Sequence, residues 1–171
     1  MKKAILLLLL AIAFGCDKDD NTTTQALPPA TQTGAGIFAC KVNGKPFIDK
    51  SGSFNCFYQF VDGEYYFHIT ANDIVDDIDE ITLYSSKIQL EEGGMYELKN
   101  YEDFSISGLV FMKNSFLNVS TTALLPGTLN ITKLDLDNFI VSGTFNFQVI
   151  NPITNQTIHI TEGRFDSLFT Q

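Results

Sequence analysis

Residues 54–72 read Phe54-Asn55-Cys56-Phe57-Tyr58-Gln59-Phe60-Val61, then Asp62-Gly63, then Glu64-Tyr65-Tyr66-Phe67-His68-Ile69-Thr70-Ala71-Asn72. This stretch decides the fold class. Two β-prone runs flank a dipeptide that accepts the positive φ angles of a two-residue hairpin turn. In the second run Tyr65, Phe67 and Ile69 fall on one side and Tyr66, His68 and Thr70 on the other. That period of two belongs to a strand buried on one face; a helix would repeat its apolar residues every three to four positions.

The same grammar extends outward. Phe38, Cys40 and Val42 alternate with Ala39, Lys41 and Asn43, and Asn43-Gly44 is a second hairpin signal. Residues 80–90 and 95–98 are β-prone, separated by Gly93-Gly94, and residues 106–112 and 115–121 flank Lys113-Asn114. Pro126-Gly127 opens a strand over 128–135, Asp137-Asn138 turns into 139–150, and 156–169 closes the chain. In the 139–150 run Phe145, Phe147 and Val149 share a face, and Gly143 marks a bulge. About ten short strands joined by hairpins predict an all-β domain, an antiparallel β-sandwich or a barrel. A parallel sheet would need crossover helices, and no segment has helical periodicity. The predicted core is Phe38, Val42, Phe67, Ile69, Leu83, Leu129, Ile131, Phe145, Phe147 and Phe165.

With 171 residues, 44% hydrophobic and 18% charged, the chain can build one packed domain. A formal charge of -9 excludes a nucleic-acid partner, which needs a Lys/Arg patch.

The first residues are an address. Met1-Lys2-Lys3 precedes the apolar run Ala4 to Phe14, and Gly15-Cys16 follows. The run is too short to span a bilayer and has the length of a signal-peptide core. Residues 1–15 therefore read as a signal peptide and Cys16 as the lipid attachment site, since Ala13-Phe14-Gly15-Cys16 resembles the lipobox of bacterial lipoproteins. Stable anchoring takes two or more acyl chains, palmitate among them. Residues 16–36, poor in apolar periodicity, read as lipidated Cys and flexible linker, and residues 37–171 as the β-rich domain.

Two resemblances sharpen the address. Lys18-Asp19-Asp20, behind Cys16, resembles the export signal that sends lipoproteins of Bacteroidetes to the outer face of the outer membrane. Three further stretches are Phe38-Ala39-Cys40-Lys41-Val42-Asn43-Gly44-Lys45-Pro46-Phe47, Gly143-Thr144-Phe145-Asn146-Phe147 and Ile160-Thr161-Glu162-Gly163-Arg164-Phe165-Asp166. Taken in order, these resemble an uncharacterised family of small Bacteroidetes lipoproteins, a domain of unknown function. The resemblance implies an outer-membrane lipoprotein with a β-rich domain and brings no activity, ligand or catalytic residue.

Candidate chemistry is sparse. Of 3 Cys, lipid takes Cys16, leaving Cys40 and Cys56 as an even pair in an oxidising compartment; a disulfide is expected, with two buried free thiols as the alternative. Asn72-Asp73, Asp76-Asp77 and Asp79-Glu80 concentrate oxygen ligands, but their spacing does not match a calcium loop, and a solvated acidic loop is the preferred reading. His68 and His159 read as surface residues, and Arg164, the only arginine, as a partner of Glu162 or a neighbouring acid. No nucleophile motif and no metal or cofactor site is legible. Asp166-Ser167-Leu168 resembles an O-glycosylation triplet of Bacteroidetes. Among the tyrosines, Tyr66 and Tyr84 sit on the polar phase of their strands and are the candidate ligand contacts. The expected function is a non-enzymatic, lipid-anchored surface domain with a protein or glycan partner. The alternatives are an envelope hydrolase and a lipocalin-like carrier.

Overall fold

The computed structural model describes residues 25–51 and 55–171. The signal peptide, Cys16 and the export signal Lys18, Asp19, Asp20 lie outside the described residues, as does the first half of the linker.

Among the described residues eleven strands follow one another: β1 (Ile37–Val42), β2 (Lys45–Ile48), β3 (Asn55–Val61), β4 (Glu64–Val75), β5 (Ile78–Ser86), β6 (Met95–Leu98), β7 (Ser105–Met112), β8 (Leu117–Ser120), β9 (Gly127–Asp135), β10 (Ile140–Ile150) and β11 (Thr157–Leu168). They form one sheet in the order β2-β1-β11-β10-β9-β6-β7-β5-β4-β3, with β8 paired to β7. The expected all-β class holds. Between the described strands every pairing is antiparallel except one: β6 meets β7 in parallel at Leu98↔Ile106, so the sheet is mixed. The sheet is not closed. It curls until its halves face each other, as in a sandwich: the Phe67 ring on β4 lies 6.0 Å from the Phe165 ring on β11. A bridge from Phe57 on β3 to Thr170 brings the last residues of the chain to the β3 edge.

Both hairpin signals fold as read. Asn43 and Gly44 have φ of 49° and 83°, Asp62 and Gly63 of 51° and 87°, the paired positive angles of a type I′ turn. The bulge at Gly143 is present in the β9–β10 pairing, where Ser142 opposes Lys133 and Gly143 opposes Ile131, leaving Thr132 as the extra residue. The Lys113-Asn114 signal opens into a longer connection, because β8 begins only at Leu117 and Phe116 takes the positive φ.

All ten predicted core residues are buried. Their packing gives the second and third family-like stretches a physical meaning. Gly143-Thr144-Phe145 on β10 pairs with Gly163-Arg164-Phe165 on β11 so that Gly143 opposes Phe165 and Phe145 opposes Gly163. Each ring lies over the glycine of the other strand. A Cβ on Gly163 would come within 2.5 Å of the Phe145 ring, and one on Gly143 within 2.6 Å of the Phe165 ring.

Two expectations are corrected. Cys40 and Cys56 are both free thiols, not a disulfide. Cys40 lies on β1, bracketed by β2 and β11, whereas Cys56 lies on β3 at the opposite end of the strand order. Burial pushes both thiols up, Cys56 to about 12, so neither forms a thiolate at neutral pH. The flexible-linker reading does not hold for residues 25–36. Thr31 Oγ1, Thr33 N, Gly34 N and Ala35 N all donate to the Asp166 carboxylate, and Arg164 Nη1 donates to the Pro28 carbonyl. These residues form a strap that starts beside Gly44 and Pro46 and packs Gly34 against Leu168 and Ile140. Composition hid it because its hold is on backbone amides, which any sequence carries.

Candidate functional site

Inward positions of β4 fill the core, which leaves Tyr66, His68 and Thr70 on the outer face. Register then decides what they meet. His68 is directly opposite Phe57 on β3 and Tyr84 on β5. The Phe57 and His68 rings stack at 5.1 Å, Tyr84 meets His68 edge-on at 6.4 Å, and Tyr101 lies 4.8 Å from Tyr84. Four rings thus form a row across the outer face, from β3 to the loop after β6.

That loop is fastened at several points. Asp103 accepts from Ser86 Oγ at 2.9 Å and pairs with Lys87 at 2.5 Å. The Asn100 carbonyl accepts from Ser105 Oγ and Ser107 Oγ, and the Asn100 side chain accepts from Ala123 N. Tyr101 is therefore presented from a braced loop while remaining 57% exposed.

Beside the ring row lies an open groove of about 370 Å³, lined by His68, Glu80, Thr82, Tyr84, Tyr101, Leu109, Asn118 and Ser120. Apart from Tyr101 on the loop after β6, the lining comes from β4, β5, β7 and β8, four strands whose adjacency spans roughly 14 Å at the usual interstrand spacing. Thr82 opposes Leu109, and Leu109 opposes Ser120, which carries the groove across the sheet.

Its polar groups divide into two sets. One set is internally satisfied: His68 Nε2 lies 2.6 Å from Thr70 Oγ1, which lies 2.7 Å from Thr82 Oγ1, and Thr82 donates to Glu80 Oε1 at 3.5 Å. Burial lowers the His68 pKa, so the ring is neutral at pH 7 and a proton on Nε2 satisfies the series down to the carboxylate. The other set is open. The side chains of Asn118 and Ser120 and the hydroxyls of Tyr84 and Tyr101 make no hydrogen bond among the described residues. Among the described residues Glu80 is the one acidic side chain of the lining.

The structure places the two candidate tyrosines differently. Tyr84 lines the groove; Tyr66, on the same face of β4, lies outside it, opposite Gln59 and Ser86. Sequence reasoning missed Tyr101, Leu109, Asn118 and Ser120 as groove residues. The β7–β8 hairpin is legible at Lys113-Asn114, but what brings it beside Tyr84 is β5 pairing with β7, which nothing local marks.

The remaining candidates go elsewhere. His159 is exposed on β11, where its backbone N–H donates to Asn43 Oδ1. Arg164 donates from Nε and Nη2 to the Glu162 carbonyl, while the Glu162 carboxylate pairs with Lys41. Asp73 accepts from Ile48 N and Ile74 N, Asp76 pairs with Lys45, and Asp77 accepts from Asn114 N. Among the described residues no three His, Cys, Asp or Glu side chains gather as a metal site. Ser167 of the glycosylation-like triplet is buried in the folded domain.

No protein-family model, curated protein or solved structure matches this chain.

Proposed function

We propose that the chain is a lipid-anchored outer-membrane lipoprotein, displayed on the cell surface, whose β domain binds a ligand without transforming it. The observation that carries the binding reading is the groove, where the exposed Tyr101 ring and the half-buried Tyr84 ring stand beside polar side chains that have no hydrogen-bond partner among the described residues. Folding leaves such groups solvated, and a ligand that satisfies them gains directional bonds beside Leu109 and the tyrosine rings. Anchoring and display rest on the leader, Cys16 and Lys18-Asp19-Asp20. Against the alternative of an envelope hydrolase, the single carboxylate of the lining supports binding where the hydrolysed bond would be glycosidic, since that chemistry uses two. The interior filled by Phe38, Phe67, Phe147 and Phe165 supports a surface site over a lipocalin-like carrier.

The address is tested by metabolic labelling with a fatty-acid probe, which should be lost in Cys16→Ser. Whole-cell protease shaving should be reduced when Lys18, Asp19 and Asp20 are replaced by Ala. For the binding reading, the full-length protein is incubated with envelope and culture-medium fractions and followed by hydrogen–deuterium exchange. Protection should centre on β5, Tyr101 and β8 and disappear in Tyr84→Ala. Protection that is absent there, or that survives the substitution, overturns the reading.

A further inference from the structure

We infer that the groove is a saccharide site, selective for neutral over acidic glycans; this rests on the binding reading above and names its ligand class. A sugar ring combines an apolar face of C–H groups with a rim of hydroxyls that both donate and accept. The groove offers the complement of each. The exposed Tyr101 ring, set against Tyr84 at 4.8 Å and 39°, is a tilted aromatic wall on a braced loop. The negative face of an aromatic ring attracts the electropositive C–H face of a sugar, and a tyrosine held by its neighbours loses little rotamer freedom on binding.

The rim is served from β8 and β5. Asn118 supplies a donor and an acceptor, Ser120 a hydroxyl that does either, and Glu80 an acceptor only. The first two have no partner to give up among the described residues. Charge sets the selectivity. Glu80 is the acidic side chain of the lining, no Lys or Arg among the described residues lines the groove, and the chain carries a formal charge of -9. A uronate, sialate or sulfate would face a carboxylate with no compensating cation, whereas a neutral hydroxyl donates to it.

The test is an array of neutral, sialylated, uronate-containing and sulfated oligosaccharides, probed with the full-length protein in a zwitterionic, sugar-free detergent. Neutral glycans should be retained and acidic ones not. For a retained glycan, calorimetry should show at least a tenfold loss of affinity in Tyr101→Ala and in Asn118→Ala, with melting temperatures close to the parent. His159→Ala, on β11, should bind as the parent does. Glu80→Gln should weaken neutral binding and narrow the discrimination against acidic glycans. Retention of acidic glycans in preference to neutral ones overturns the inference, as does affinity unchanged in both Tyr101→Ala and Asn118→Ala. A blank array overturns it too. If the exchange experiment still shows Tyr84-dependent protection by a non-glycan fraction, the saccharide assignment falls while the binding reading stands.

Discussion

Thr31 and Asp166 are 135 residues apart in the sequence and joined by a hydrogen bond of 2.6 Å. Asp166 is buried on the last strand, and its carboxylate also accepts from the backbone amides of Thr33, Gly34 and Ala35 and from Ser142 Oγ. Burial by itself raises the pKa of such a carboxyl. Here the hydrogen bonds from Thr31, Thr33, Ser142 and Ala35 outweigh burial and hold it well below the usual carboxylate range.

Asp166→Asn should release the strap. The amide keeps one acceptor oxygen and turns an NH2 group toward donors, so several bonds fail together; a loss of about 3 kcal/mol is expected from the usual worth of charge-assisted bonds. Denaturant melts measure the loss. Limited proteolysis should gain a cut within residues 28–36 that the parent resists, and an unchanged digest would show that the strap does not depend on Asp166.

Two groups give the stability a pH dependence with the same sign in separate windows. The folded pKa of His68 lies below 6.5, so the unfolded chain binds that proton first and stability declines as pH falls below about 6.5. The folded pKa of Asp166 lies below 3.8, so its contribution is complete above that value and is lost only as pH falls further. His68→Gln should flatten the upper window and leave the lower one. Asp166→Asn should do the reverse. Melting temperatures across pH 3–8 check both.

Cys40 and Cys56 should titrate as two thiols in the denatured protein and as none in the native one within the same reaction time, because burial suppresses both thiolates. Reductant should leave the melting temperature unchanged. Intact mass should show the reduced form, and a mass two protons lighter would restore the disulfide.

The reciprocal ring–glycine pairs predict opposite kinds of damage. Phe145→Ala empties a site in contact with Phe38, Phe147 and Phe165, at about 3–5 kcal/mol. Gly163→Ala crowds the same ring and the Phe145 carbonyl, at about 1–3 kcal/mol. Phe116→Ala, 80% exposed, should fall well below either. In the double variant Gly163→Ala with Phe145→Ala, the added methyl should cost less than it does alone.

How much of this was legible follows from range. The Asp62-Gly63 and Asn43-Gly44 hairpins and the inward phase of β4 are encoded within a few neighbouring residues, and all fold as read. Strand order is not local. That β6 lies between β9 and β7, and that β5 pairs with β7 across the stretch holding β6, depends on packing between segments apart in sequence, and with it goes the groove. Tyr84 could be selected by its polar phase, but Tyr101 sits in a loop without periodicity. Cys40 and Cys56 looked paired because counting ignores which strands are neighbours. The strap was read as linker because Thr31 and Thr33 carry no pattern until Asp166 is placed beneath them.

The strap also sets how the domain bears a load. Tension drawn on the N-terminal end of the chain reaches Arg164–Pro28 and the Asp166 bonds before it reaches β1. Those contacts lie on β11, which is paired on both sides, to β1 and β10. A pull that would otherwise peel β1 from the sheet is spread into its interior, so the first element to yield is a short clasp that can re-form, not the strand ladder that holds the fold.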